Sequence, residues 1–253
     1  MLREALGAAG TLLDVGAGAG RYAIPLALAA SRVTAVEPSP GMRSHLEAAI
    51  DRAHLNNIVV VPTTWEEADV EPHDVVLASN VLYPIAEVVP FVRKLDRYAR
   101  RAAYVLIRVD QREAPVAPLW QEVWGEPSPP EPGFLDLYNL LFAMGIRANA
   151  RMMPTRGSMG FASLDDAVEA VRQQLFVRAE QQEHDARIRA YLADTLIRGD
   201  GGLDWPHALQ YAIVWWEQGQ ATQPLTPPIY EGVRVGVRRL PNTPPAPEPG
   251  ASA

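Results

Sequence analysis

The sequence predicts an α/β fold: a doubly wound, mostly parallel seven-stranded sheet with a helical lid inserted before the last strand. Three observations predict it. A buried-strand pattern at residues 11–15 runs directly into a glycine-rich loop at residues 16–20. Short apolar strands then alternate with helices as far as residue 154, which is typical of parallel sheets covered by helices on both faces. Residues 155–205 break this alternation with two successive amphipathic helices.

The first strand and its loop carry the strongest local signal. Thr11–Val15 has the apolar pattern of a fully buried strand, with Asp14 as a polar interruption near its carboxyl end. Gly16, Gly18 and Gly20 let the backbone turn sharply and approach a ligand, because a Cβ there would intrude. The helix predicted over residues 21–30 directs free backbone N–H groups toward the same point. We therefore predict a nucleotide-sized ligand at this loop.

The next elements continue the alternation. Ser39 and Pro40 have the residue types of a helix cap and first helical residue. The buried stripe predicted for that helix is Met42, Leu46, Ala49 and Ile50, and in the preceding helix Tyr22, Ile24, Leu26 and Leu28 are predicted to pack. Further strands are predicted at 32–37, 58–61, 74–79, 103–109 and 146–153, and further helices at 85–100 and 135–145.

The insertion follows residue 154. Ser163 with Asp166 is an N-cap signature, and apolar residues repeat at helical spacing behind it. A second helix is predicted to end at the glycines 199, 201 and 202. Such a pair could cover the sheet as a lid, and helices packed away from the site are the alternative. The predicted divisions are a core at 1–154, the insertion at 155–205, the last strand with its extension at 206–239, and a proline-rich disordered tail at 240–253.

Composition narrows the classes of function. The 253 residues are 48% hydrophobic and 21% charged, as in ordinary soluble globular proteins. The absence of cysteine excludes disulfides, thiolate metal sites and a cysteine nucleophile. The five histidines show no ligand-like spacing, so no metal is predicted. No long apolar run or signal-like start is present, so we expect a cytoplasmic protein. The net charge of −7 makes nucleic acid an unexpected partner.

The glycine spacing separates two ligand classes. A dinucleotide fingerprint, G-x-G-x-x-G, would place its third glycine at position 21, which is Arg21. Glu37 ends the next strand about 20 residues beyond the first glycine, where such sheets hold ribose hydroxyls. The run Asp14 to Gly20, together with Glu37, resembles the S-adenosylmethionine (SAM) loop of class I methyltransferases. The resemblance covers residues 11–110 and implies a Rossmann-like fold with an antiparallel last strand, predicted here at 207–216.

The resemblance implies SAM as cofactor and assigns roles to residues around the loop. In the family, the residue at Asp14 contacts the methionine amino group, the loop backbone lies against the ligand, and the residue at Glu37 binds the ribose. Thr64 occupies the position that receives the adenine amino group in relatives. Trp65 could stack on adenine instead, or pack as a partly buried aromatic. The predicted cofactor-binding residues are Asp14, Gly16, Ala17, Gly18, Gly20, Glu37, Pro38, Met42, Thr64, Trp65, Ser79 and Asn80.

The acceptor is less defined. Asn80 and Tyr83 are similar to an Asn-Pro-Pro-Tyr motif of amino-group methyltransferases, but both prolines are missing. Methyl transfer can rely on positioning alone, so no general base is required. The candidates for a catalytic role are Tyr83, Arg108, Asp110 and His184.

The expected function is methyl transfer to an O, N or C atom of a small-molecule acceptor. No membrane partner is expected, and the sequence does not specify the oligomeric state. The alternatives are an NAD(P)-dependent oxidoreductase and a noncatalytic SAM-binding protein. The loop 110–132, with Trp120 and Trp124, is predicted to pack against the sheet edge or to form an apolar substrate wall.

Overall fold

The structure is a computed structural model that describes residues 1–7, 9–109, 116–128, 132–153, 161–178, 180–199, 202–206 and 210–219. No helix within these ranges is long and apolar enough to cross a membrane. The helices are α1 (Leu2–Leu6), α2 (Ala23–Ala27), α3 (Pro40–Arg52), α4 (Val88–Tyr98), α5 (Ala117–Trp124), α6 (Phe134–Ala143), α7 (Leu164–Gln174) and α8 (Asp185–Thr195). The strands are β1 (Thr11–Val15), β2 (Arg32–Val36), β3 (Ile58–Val61), β4 (His73–Ser79), β5 (Ala99–Arg108), β6 (Asn149–Met152), β7 (Ile197–Gly199), β8 (Gly202–Asp204) and β9 (Tyr211–Glu217).

Seven strands form the central sheet in the order β3-β2-β1-β4-β5-β9-β6. The contacts among β1 to β5 are parallel, whereas β9 is antiparallel to both of its neighbours. The predicted fold class is therefore confirmed. β2 and β3 lie on one side of β1, whereas β4 and β5, which come later in the chain, lie on the other side. In open α/β sheets, ligands bind at the carboxyl ends of the strands beside such a reversal.

Helices cover both faces of this sheet because alternate residues of each strand point to opposite sides. On one face, Leu13 of β1 belongs to a buried cluster with Leu95 of α4 and Leu141 of α6. On the other face, Leu12 belongs to a cluster with Leu26 of α2 and Leu46 of α3. All but Leu26 among these leucines are completely buried. The sheet is consequently a fixed platform for the loops at its edge.

The chain divides into two compact units. The first comprises Met1–Gln111, Glu131–Pro154 and Gln210–Gly236, and it contains the seven-stranded sheet. The second comprises Arg112–Pro130, Thr155–Leu209 and Val237–Ala253. The lid role of residues 155–205 stays a prediction. The residues predicted as a disordered tail, 240–253, lie outside the described residues, as does His207 at the predicted start of the last strand.

The second unit has its own core. Trp120 of α5 is completely buried with Val171 of α7 and Leu192 of α8. Trp124 donates its indole N–H to the Leu175 carbonyl oxygen at 3.0 Å. Trp120 and Trp124 thus pack against the inserted helices, which corrects the expectation that they pack against the sheet edge or form a substrate wall.

Two predicted packing stripes are also corrected. Leu28 is 72% exposed because α2 ends at Ala27 and leaves Leu28 beyond the helix. In α3, Leu46 is buried as predicted, but Met42 is 36% exposed. The glycines at 199 and 202 belong to the β7–β8 hairpin and do not end α8, because Leu196 already leaves the helix in an extended conformation.

Candidate functional site

The glycine loop lies where β1 and β2 end. The backbone N–H groups of Gly16 and Ala17 both donate to the Val36 carbonyl oxygen, at 2.8 and 3.1 Å, so the loop is tied to the end of β2. Gly16, Gly18 and Gly20 all have φ between 55 and 89°. Residues with a side chain rarely adopt this left-handed region. The path of the backbone therefore explains why glycine occupies these alternate positions.

The three glycines serve different purposes. A Cβ on Gly16 would collide with the Val81 side chain, and a Cβ on Gly20 would lie 2.6 Å from Cδ1 of Leu46. A Cβ on Gly18 would meet no atom within 4 Å. Gly16 and Gly20 are therefore required by packing, whereas Gly18 faces open space. That space is the cradle that the sequence predicts for a ligand.

Glu37 borders this cradle. Its side chain is only 6% exposed. Its Oε2 accepts the Gly18 backbone N–H at 2.8 Å, and its Oε1 accepts the Ser39 backbone N–H at 2.8 Å. Each carboxylate oxygen has a second lone pair, so the group can also accept hydroxyl protons from a ligand. The guanidinium of Arg43 donates to the carbonyl oxygens of Glu37 and Pro38 and fixes this turn.

Asp14 is a buried carboxyl group with unmet hydrogen-bonding capacity. It is 2% exposed, and its Oδ2 has no hydrogen-bond partner among the described residues. Burial raises the pKa of Asp14 to about 7, the Ala23 backbone N–H opposes that rise, and the negative charge of Glu37 adds to it. A buried acceptor of this kind calls for a donor from outside the chain. The ammonium group of SAM would supply donors and a positive charge, so the residues present fit this cofactor.

The loop after β3 differs from one expectation. Trp65 is 3% exposed, donates its indole N–H to the Phe91 carbonyl oxygen at 3.3 Å and lies edge-on to Tyr98. Its ring packs in the core and is unavailable for stacking on adenine, which corrects that assignment. Thr64 is half-buried and accepts the Glu67 backbone N–H at 3.4 Å. The exposed thioether of Met42 remains accessible to a ligand.

Sequence reasoning missed Lys94 of α4. Its ammonium donates to the carbonyl oxygens of Trp65, Glu66 and Ala68, at 2.6, 3.1 and 2.7 Å. It also lies 4.6 Å from the centre of the Trp65 ring. Burial lowers the pKa of Lys94. This lysine fixes the loop that carries Thr64, and a single lysine in a helix gives no signal in the sequence for such a role.

The turn after β4 brings two of the predicted catalytic candidates together. Ser79 ends the strand, and Asn80 has φ 58° while its backbone N–H donates to the Leu106 carbonyl oxygen at 2.9 Å. The Tyr83 hydroxyl donates to Asn80 Oδ1 at 3.0 Å and accepts the Arg108 backbone N–H at 2.9 Å. The Arg108 guanidinium lies 4.5 Å from the centre of the Tyr83 ring.

The protonation of Tyr83 limits its chemistry. Burial raises the pKa of Tyr83, and the nearby Arg108 only partly opposes that rise. The hydroxyl is therefore protonated at neutral pH and cannot act as a ready base. It is suited to positioning its neighbours.

The other two candidates lie elsewhere. Asp110 is outside the described residues. His184 belongs to the second unit, in a 3₁₀ turn at Gln182–His184, where its ring lies 5.6 Å from that of Trp124. Within the part of the chain that the structure describes, no group of three or more potential metal ligands occurs.

Comparisons with known proteins agree with this geometry. A family described as a methyltransferase domain matches residues 13–107. An uncharacterised protein of Haemophilus influenzae is 26% identical over 81% of this chain and 75% of its own length. A protein of Methanosphaera stadtmanae, "Probable ribosomal RNA small subunit methyltransferase A", is 31% identical, but over only 40% of this chain and 36% of its own.

Two solved structures share the fold. The YcgJ protein of Bacillus subtilis has a TM-score of 0.55 at 11% identity, covering 85% of this chain and 95% of its own. A proposed sarcosine dimethylglycine methyltransferase of Galdieria sulphuraria has a TM-score of 0.54 at 16% identity, covering 87% and 82%. The glycine cradle with its two carboxyl groups lies within the matched segment. Residues 13–107 therefore match a methyltransferase domain, in agreement with the resemblance of the glycine loop to that of class I SAM-dependent methyltransferases.

Proposed function

We propose that this protein transfers the methyl group of SAM to a small-molecule acceptor. The observation that carries the proposal is the pairing of Asp14, with its unpartnered Oδ2, and Glu37 beside the open space at Gly18. The net charge of −7 supports a small acceptor, since it opposes the binding of a polyanion.

The charge of the cradle discriminates between ligands. SAM carries a sulfonium and an ammonium group, and both are favoured beside two carboxyl groups. A nicotinamide dinucleotide would bring a negatively charged pyrophosphate to the glycine loop, where an ionised Asp14 would repel it, whereas Glu37 suits the ribose of either ligand. Arg21 stands where the dinucleotide fingerprint requires a third glycine. These features disfavour the oxidoreductase alternative.

The residues of the chain contribute mainly by positioning. When bound, SAM supplies an activated methyl group on its sulfonium. We infer that Asp14 holds the ammonium and Glu37 the ribose hydroxyls, while the turn at Asn80 borders the acceptor. Orienting two reactants in this way can supply a large part of the rate enhancement. Tyr83 is protonated at neutral pH, so this proposal assigns it no proton abstraction.

The first experiment is calorimetry with SAM, with its demethylated product S-adenosylhomocysteine (SAH) and with NAD. We expect binding of SAM and SAH and none of NAD. Binding of NAD without binding of SAM would overturn the proposal.

The second experiment identifies the acceptor class. The protein is incubated with methyl-labelled SAM and either a low-molecular-mass metabolite extract or ribosomal RNA, with Gly18→Val as the control that is expected not to bind SAM. Label in the metabolite fraction alone supports the proposal. Label in RNA would indicate the activity named for the Methanosphaera relative. Binding of SAM with no transfer to either would favour a noncatalytic protein.

A further inference from the structure

The turn after β4 contains a chain of hydrogen bonds whose direction is set at one end. A backbone N–H can only donate, so the Arg108 N–H fixes the Tyr83 oxygen as its acceptor at 2.9 Å. The Tyr83 proton is then directed to Asn80 Oδ1 at 3.0 Å. One lone pair of Asn80 Oδ1 is therefore engaged, and the Asn80 NH₂ group is left to donate to another partner.

The Asn80 NH₂ group has no such partner within the described part of the chain. Asn80 is half-buried, and its backbone is held at φ 58° by the hydrogen bond to the Leu106 carbonyl oxygen. Asparagine adopts this left-handed region more readily than most residues other than glycine, and the hydrogen bond to Leu106 holds Asn80 there. Both the backbone and the amide of Asn80 are consequently fixed.

The position of Asn80 places its amide at the cofactor loop. β4 pairs directly with β1, so the turns after these two strands lie side by side. Val81, the next residue along the chain, fills the space that a Cβ on Gly16 would need. The Asn80 turn therefore contacts the glycine loop that holds SAM.

We propose that the Asn80 NH₂ group binds an anionic oxygen of the methyl acceptor, and that this oxygen receives the methyl group. The assignment rests on the proposed function and deepens it. The NH₂ group can only donate, and the nitrogen of a neutral amine has a single lone pair, which must stay free to attack the methyl group. An anionic oxygen has lone pairs for both the hydrogen bond and the attack. Tyr83 is a positioning residue, because it acts through the amide of Asn80.

Anionic oxygen chemistry also agrees with the absence of an assigned base. The lone pair of the acceptor oxygen forms the new O–C bond, the C–S bond breaks, and its electron pair remains on the sulfur of SAH. The oxygen loses its negative charge and the sulfonium its positive charge, so no proton has to be removed. Carboxylates, phenolates and enolates are acceptors of this kind.

Three variants test the assignment. Asn80→Asp replaces the NH₂ group by an oxygen of the same shape. Tyr83→Phe keeps the ring beneath Arg108 but lets the Asn80 amide rotate. Tyr138→Phe is the matched control, since Tyr138 is another half-buried tyrosine of the same unit, whose hydroxyl donates to the Ala148 carbonyl oxygen at 3.1 Å.

The experiment uses the full chain saturated with SAH, with saturation checked by calorimetry. Acetate and benzoate are titrated in parallel with methylammonium and benzylammonium, and the Asn80 side-chain NH₂ signal is followed by ¹⁵N NMR. We expect the carboxylates to shift this signal. Asn80→Asp should bind them more weakly by about tenfold or more, because it loses one charge-assisted hydrogen bond and adds a negative charge that repels them. Tyr83→Phe should narrow the preference for carboxylates over ammonium ions, and Tyr138→Phe should preserve it.

Three results would overturn the assignment while leaving SAM-dependent methyl transfer intact. They are a preference of the wild-type site for the ammonium probes, equal carboxylate binding by Asn80→Asp, and no binding of any probe to the SAH complex. Failure of the wild-type protein to bind SAH would overturn the proposed function itself, and the assignment with it.

Discussion

The burial of the Asp14 carboxyl group lowers the stability of the ligand-free protein as that group ionises. Burial raises the pKa of Asp14 from 3.8 to about 7. Between about pH 4 and 7 the folded state therefore holds a proton that the unfolded state releases. Stability from this group is greatest at low pH and is lost as the pH rises through that window. At neutral pH the carboxyl group begins to ionise without a partner for Oδ2, which is the state that favours a cationic ligand.

We predict opposite effects of Asp14→Asn on stability and on binding. Between pH 5 and 8, the unfolding free energy of the ligand-free wild type should fall relative to the variant, by roughly 2.5 kcal/mol. The affinity of the wild type for SAM should rise through pH 7 as Asp14 ionises. The variant should lose that rise and bind SAM about 1.5–3 kcal/mol more weakly at pH 8.

Urea denaturation and calorimetry at both pH values measure these effects. A wild type and a variant with parallel pH profiles would show that Asp14 does not titrate in this range. An unchanged affinity for SAM at pH 8 would remove Asp14 from the cofactor site.

The glycines of the loop allow a matched comparison at single residues. Gly18→Val should abolish SAM binding while the fold is largely retained, because its side chain would enter open space, although the positive φ adds some strain. Gly20→Val should instead destabilise the protein, because its side chain would meet Leu46 and Ile24 in the core. Thermal unfolding and SAM calorimetry on both variants separate the two outcomes. Unfolding of Gly18→Val would mean that Gly18 is required by the fold rather than by the ligand.

At the scale of elements, the sequence was most informative where the determining interactions are local. Ser39 caps α3 by accepting the Met42 backbone N–H, and Ser163 caps α7 by accepting that of Asp166, as the spacing predicts. Local patterns could not reveal α5, whose apolar residues pack against α7 and α8 many positions later. The same limit applies to Trp65, since only the fold brings Phe91 and Tyr98 to its ring.

The site follows the same division. Asp14, the glycines and Glu37 can be predicted from the sequence because each lies at a characteristic position at the end of a predicted strand. The Tyr83 bridge between Asn80 and Arg108 needed the pairing of β4 with β5, which no local pattern states.

Lys94 of α4 anchors the β3–β4 loop, and the contribution of this contact can be tested by substitution. Lys94→Met removes three charge-assisted hydrogen bonds to loop carbonyls and should lower the unfolding free energy by about 1.5–3 kcal/mol. If Thr64 contacts the adenine, the loosened loop should also weaken SAM binding. Denaturation and calorimetry measure both quantities. Arg97→Met, an exposed cation on the same helix, is the matched control and should change neither. Equal effects of the two substitutions would mean that the loss of positive charge, and not the loop contacts, is responsible.

At the scale of the whole molecule, the two units have separate cores, so each unit can have its own free energy of unfolding. The sheet is held by the clusters around Leu95 and Leu46, while α5, α7 and α8 are held by the cluster around Leu192. Within the second unit, Nη1 of Arg172 donates to both carboxylate oxygens of Asp185, at 2.6 and 2.7 Å, and Arg172 itself is 9% exposed. Local opening of one unit need not require opening of the other.

We therefore predict that a cavity in one core destabilises only the unit that contains it. Leu192 and Leu95 are both completely buried, and Leu→Ala at such positions costs about 2–5 kcal/mol. Leu192→Ala should speed hydrogen exchange in α5, α7 and α8 and leave β1, β4 and SAM binding unchanged. Leu95→Ala should speed exchange in the sheet and weaken SAM binding. Hydrogen-exchange mass spectrometry and calorimetry on the two variants test this. Loss of protection across the sheet in Leu192→Ala would show that the two cores unfold as one cooperative unit, and unchanged protection of β1 in Leu95→Ala would separate the cofactor loop from the α4 core.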